Sequence, residues 1–151
     1  MRRVSQIKPM GQFAAAIDRV VLDADDRQRR RAVLTGESGA AYLLDFAAPV
    51  TLRDGDGLVL DDGAIVQVAG QAESLVEIAM REPADIVRIA WHIGNRHTDM
   101  QVVGDRLRIR RDHVLEDMLR CLGASVTPRD ESFDPEVVAP HDHAQGPAHG
   151  A

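Results

Sequence analysis

The stretch Glu82-Pro83-Ala84-Asp85-Ile86-Val87-Arg88-Ile89-Ala90-Trp91-His92-Ile93-Gly94-Asn95-Arg96-His97 decides how the second half of this chain folds. Pro83 suits the first turn of a helix, where an amide N–H has no intrahelical partner. Ile86, Ile89, Ala90 and Ile93 recur with helical spacing, so one face is apolar. Gly94 is the expected terminator. Strand patterns flank this helix. Residues 74–80 alternate apolar and polar side chains, and residues 100–103 and 106–110 form a hairpin around Gly104-Asp105. Asp112 caps a second helix. Its buried stripe is Val114, Leu115, Met118, Leu119 and Leu122, and Gly123 ends it. Residues 124–127 form a last strand. The order βαββαβ is that of a ferredoxin-like domain.

Upstream the pattern is that of short strands. Residues 16–22, 29–34, 42–46, 58–60 and 64–68 are rich in Val, Leu and Ile. Gly36-Glu37-Ser38-Gly39, Asp54-Gly55-Asp56-Gly57 and Asp61-Asp62-Gly63 separate several of them as turns. Many short strands at tight spacing predict a small barrel or sandwich. From Pro128 onward prolines, glycines and scattered acids predict a tail with little fold of its own. The chain therefore reads as α+β. Residues 1–71 are a β-rich domain, 72–133 a ferredoxin-like domain and 134–151 a flexible tail.

Composition narrows the function. Aromatic residues are 3% of the 151, too few for stacking platforms, and the net charge of −6 argues against general nucleic-acid binding. The single cysteine, Cys121, excludes an internal disulfide and a cysteine-rich zinc site. It reads as a small buried hydrophobe beside the second helix's stripe. The basic run Arg27-Gln28-Arg29-Arg30-Arg31 reads as a solvated strand face. The opening Met-Arg-Arg is followed by an apolar run too short for a signal peptide, and no stretch has membrane-spanning length.

All six histidines lie in the second half. Imidazole is the commonest side-chain ligand of zinc, copper and nickel, so metal handling is the question this distribution raises. His92 and His97 are five residues apart, roughly 140° on a continuous helix, so they cannot chelate one ion together there. The pair makes sense only if the helix ends at Gly94-Asn95. His92 then sits in its last turn and His97 on an exposed connection just beyond. His113 follows the cap Asp112, either packed on a strand or placed as a ligand or ligand support. His141 and His143 flank an acid in the tail, with His149 close by, a pattern that binds divalent metals without geometric selectivity. There is no Gly-rich phosphate loop, no nucleophile elbow and no His-Glu-x-x-His.

His92-Ile93-Gly94-Asn95-Arg96-His97, then Asp112-His113-Val114-Leu115-Glu116-Asp117-Met118-Leu119 and Leu122-Gly123, resemble the urease accessory protein UreE family. The first half carries the likeness too, in Asp26-Arg27-Gln28-Arg29-Arg30-Arg31, Thr35, Leu52-Arg53-Asp54-Gly55-Asp56-Gly57-Leu58 and Leu60-Asp61-Asp62-Gly63. The resemblance implies a cytoplasmic nickel metallochaperone that hands Ni²⁺ to the urease apoprotein complex and its GTPase accessory protein. It implies an N-terminal domain that engages protein partners and a homodimer formed through the second domain. There His97 from each chain meets at the two-fold axis, symmetry supplying the ligand one chain lacks. Nickel comes from the resemblance alone, since imidazole also suits Zn²⁺ and Cu²⁺. Two departures count: Arg111 stands where some members have a further histidine, and the tail is poor in histidine beside some relatives. The rival readings are a small metal-dependent hydrolase, which needs three ligands and a general base in one chain, and a general peptide-binding chaperone.

Overall fold

The structure, a computed structural model, describes residues 1–137. It is α+β and strand-rich, with two sheets and two α-helices. The first sheet holds β1 (Arg2–Lys8), β2 (Asp18–Leu22), β3 (Gln28–Thr35), β4 (Ala41–Thr51), β5 (Gly57–Leu60) and β6 (Ile65–Gly70), in the order β2-β6-β5-β1-β4-β3. β1 runs parallel to β4 and β2 parallel to β6, and the other neighbours are antiparallel. Val4, Val20, Leu34, Leu44, Leu58 and Val66 come from the six different strands yet share one core, so the sheet curls over on itself.

β1 is a central strand that the sequence pattern did not reveal. Only Val4 along it is fully buried, and a single buried residue gives no alternation to read. Its place is set by pairing with β4 and β5, which are distant in sequence.

The second sheet has the order β10-β7-β9-β8, from β7 (Ala72–Ala79), β8 (Gln101–Val103), β9 (Arg106–Arg110) and β10 (Ser125–Ser132). Neighbours are antiparallel throughout. α1 (Ile86–Asn95) follows a 3-10 turn at Pro83–Asp85, and α2 (His113–Cys121) lies between β9 and β10. Ile89 and Ile93 of α1 and Leu115 and Leu119 of α2 close over Val76, Ile78, Leu107 and Ile109 of the sheet.

Asp112 caps α2 as expected, accepting from the Leu115 amide at 3.0 Å. Glu116 reciprocates by accepting from the Asp112 amide at 2.7 Å. Glu116 is fully buried and pairs with Arg111 at 3.2 Å. Burial pushes its carboxyl up, but Arg111 and the Asp112 amide outweigh that and hold it below the usual carboxylate range.

Three expectations need correction. The tail was to begin early, yet β10 continues to Ser132, because eight residues pair with β7. Beyond it Phe133 is buried with Ala24 and Leu75, and residues 133–136 form a strap across both sheets. Arg27 is not on a solvated face. It is 1% exposed and donates to the carbonyls of Leu22, Leu52 and Phe133 and to the carboxylate of Asp134. Arg53 adds a bond to the Pro135 carbonyl at 3.0 Å. The stripe of α2 is narrower than expected: Leu115 and Leu119 are buried, but Val114 and Leu122 are exposed, and so is Cys121, expected to be buried beside them.

The two sheets meet closely. The covalent link between β6 and β7 is the single residue Gln71. At Gly70 an added Cβ would lie 1.8 Å from Ser132 Oγ, so only glycine lets the end of β10 approach.

Candidate metal site

α1 does not end at Gly94. The helix runs through Gly94 to Asn95, with Arg96 as its C-cap. Its reversal falls on His97, at φ 56°, the one non-glycine residue with positive φ among the described residues. The His97 amide donates to the Gly94 carbonyl at 3.0 Å and the Arg96 amide to Ile93 at 3.1 Å, satisfying carbonyls that the helix leaves free. His97 thus fills the left-handed position that glycine normally takes, and its ring is exposed. A side chain in this conformation costs about 1 kcal/mol relative to glycine. Histidine is among the residues that tolerate it best.

The segment after His97 is pinned by the strap. The Glu136 amide donates to the Met100 carbonyl at 2.8 Å, and the Asp134 amide to Gln101 Oε1 at 3.1 Å. Nothing in the local sequence signals these bonds, since the partners are more than thirty residues apart.

The other histidines are dispersed. His92 lies in the last turn of α1, half-buried, its ring edge-on to Trp91 with centroids 5.0 Å apart. His113 opens α2 and is exposed rather than packed on a strand. His141, His143 and His149 lie outside the described residues. Among the described residues no group of three or more His, Cys, Asp or Glu side chains could hold a metal ion. Among the described residues His97 thus stands as an exposed imidazole just past a helix end, outside any such group. The outer face of that helix carries Val87 and Trp91, 71% and 64% exposed.

Comparison with known proteins settles the family. The model of the UreE urease accessory protein N-terminal domain matches residues 2–70, and that of the C-terminal domain matches residues 73–151. This chain belongs to the UreE family. The urease accessory protein UreE of Rhodopseudomonas palustris (strain BisB18) is 48% identical over 152 residues, covering 95% of this chain and 72% of that protein. The UreE of Bradyrhizobium sp. (strain BTAi1 / ATCC BAA-1182) is 52% identical over 134 residues, covering 87% of this chain and 65% of its own length. The UreE of Rhodobacter capsulatus is 42% identical over 156 residues, with 99% and 96% covered. This chain thus spans just under two thirds of the Bradyrhizobium UreE and nearly all of the Rhodobacter one. UreE proteins bear the name of an accessory protein rather than of an enzyme, as the sequence reading expected. No helix among the described residues is long and apolar enough to cross a membrane.

Proposed function

We propose that this UreE protein carries Ni²⁺ during urease maturation, handing it to the urease apoprotein complex and its GTPase accessory protein in the cytoplasm. In this reading the chain is a homodimer, and His97 from both copies binds one ion at the two-fold axis. Residues 72–133 form the ferredoxin-like metal and dimer domain, residues 1–71 engage partners, and His141, His143 and His149 add ligands. Zn²⁺ or Cu²⁺ can replace Ni²⁺ on the same imidazoles.

The observation that carries this reading is the isolation of His97. Exposed, held left-handed and, among the described residues, outside any group of three or more possible ligands, it would gain a second imidazole when a second copy meets it at a two-fold axis. The unpartnered Val87 and Trp91 on the same helix give that second copy apolar area to cover. The strap supports the part given to the tail. His141 is five residues beyond Glu136, a reach of at most roughly 18 Å from a residue bonded to Met100. A few imidazoles at an interface, with tethered arms adding local concentration, bind metal yet release it to a partner. His92 and His113 are peripheral in this scheme.

Native mass spectrometry during nickel titration tests it. The chain cut after Pro140 should bind one Ni²⁺ per dimer, and the full chain more. A truncated dimer that keeps its ion when His97 is replaced by glycine would sink the proposal.

A further inference from the structure

The free edge of β3 is the surface that neither the metal site nor the core explains. β3 ends the first sheet and is bonded only to β4. Every second residue of an edge strand turns its N–H and C=O away from its neighbour. Among the described residues no backbone group of residues 29–35 has a partner on that outer side. The other edges are closed or blunted. On β2 the Arg19 carbonyl accepts from Glu37 at 2.8 Å and the Leu22 carbonyl from Arg27 at 3.2 Å. β8 has three residues, and β10 carries Pro128. A cavity of about 360 Å³ runs beside β3, walled by Leu22 and Asp26 and by consecutive residues 31–35. Consecutive strand residues point to opposite faces, so a space touching all of them lies along the strand's edge rather than over one face.

The charge of this edge is opposite to that of the whole chain. Arg29, Arg30 and Arg31 are all exposed on β3, whereas the protein carries −6. Arg29 pairs with Asp26 at 2.6 Å, and Arg30 reaches only the Phe46 carbonyl at 3.4 Å. Arg31 has no acidic partner among the described residues. Three arginines on an unpaired edge repel a second copy of the same edge and leave an acidic strand acceptable.

We infer that β3 accepts an extended, acidic segment of a partner protein, which pairs with its free edge and sets carboxylates against Arg29 and Arg31. Main-chain hydrogen bonds supply the binding and the arginines select the charge, as in other strand-addition complexes. This gives the partner-engaging role proposed for residues 1–71 a surface and a ligand chemistry, and it stands or falls apart from the metal reading.

The test uses the metal-free full chain and two fluorescein-labelled octapeptides, one alternating Val with Glu and one alternating Val with Lys. Fluorescence anisotropy should show binding of the Glu peptide, weakening as salt rises, and at least tenfold weaker binding of the Lys peptide. Arg31→Glu combined with Arg29→Glu should weaken the Glu peptide at least tenfold while nickel stoichiometry stays unchanged, which also reports an intact fold. Hydrogen exchange should slow at alternate amides within 28–35 when the Glu peptide is bound. Equal binding of both peptides, indifference to the double variant, or protection confined to another strand would each overturn the inference.

Discussion

His97 and Gly123 do the same backbone work at the ends of the two helices: each is the left-handed residue, at φ 56° and 94°, that follows a C-cap. At α2 the position holds glycine. At α1 it holds an imidazole, which the reversal of the chain thrusts into solvent.

Replacing His97 therefore separates backbone from side chain. His97→Gly should raise stability by up to about 1 kcal/mol and remove the core metal site. His97→Ala should remove the site equally but bring no gain in stability, because the left-handed strain remains and alanine tolerates it no better than histidine. Urea unfolding of the metal-free variants, beside nickel titration of the same samples, gives both readouts. A destabilised His97→Gly would mean that the ring makes packing contacts essential to the fold.

Metal affinity should fall steeply between about pH 7 and pH 5. An imidazole binds metal only when neutral, its ordinary pKa is about 6.5, and protons compete for the same nitrogen. With two or more histidines per ion, the fall should exceed one proton per ion. Nickel titrations across this range decide it; a flat profile would move the ligand role to carboxylates such as Asp99 or Asp142.

Arg27→Ala should cost about 3 kcal/mol, since it leaves the Leu52 and Phe133 carbonyls without their donor and Asp134 with only Arg53, 4.0 Å away, while the Leu22 carbonyl keeps the Gln71 amide. Arg27→Lys should recover little, because an ammonium cannot span four acceptors as the guanidinium fork does. Denaturant melts of the two variants measure this, and a loss below about 1 kcal/mol for Arg27→Ala would contradict it.

Acid should loosen the second sheet through Glu77. This carboxylate, 5% exposed, takes bonds from Arg106 at 2.8 Å and Arg108 at 3.1 Å, with Arg129 at 3.2 Å. Arg106 above all holds it below the usual carboxylate range, against burial. A lowered folded-state pKa gives stability that is present above the ordinary value near 4.3 and is lost as pH falls through the lower one. Glu77→Gln should cost about 2 kcal/mol at pH 7 and flatten the stability profile below about pH 4.5. Thermal melts from pH 7 to pH 3 compare the two proteins, and parallel curves would discard the role given to Glu77.

Where side-chain periodicity was strong, the sequence was legible. Ile86, Ile89, Ala90 and Ile93 marked the inner face of α1, and Asp112 marked the start of α2. Where order comes from distant partners, it was not. β1 offers one fully buried residue, and the strap at 133–136 is held by Arg27, Arg53, Met100 and Gln101, none of them near it in sequence. Gly94 misled because glycine within a helix resembles glycine after one. His97 itself was visible as an exposed histidine past a helix end, but its left-handed backbone was not. That depends on the helix continuing two residues further than composition implies.

The single-residue link at Gln71 and the strap at 133–136 tie the two halves together at two places. A swivelling carrier would sweep its cargo through a wide volume and rely on chance for the moment of contact. On the function proposed above, a recipient seated on the first sheet would meet the His97 end of α1 from a doubly tethered support. On the same proposal, the recipient's own shape would then decide whether it can reach the metal.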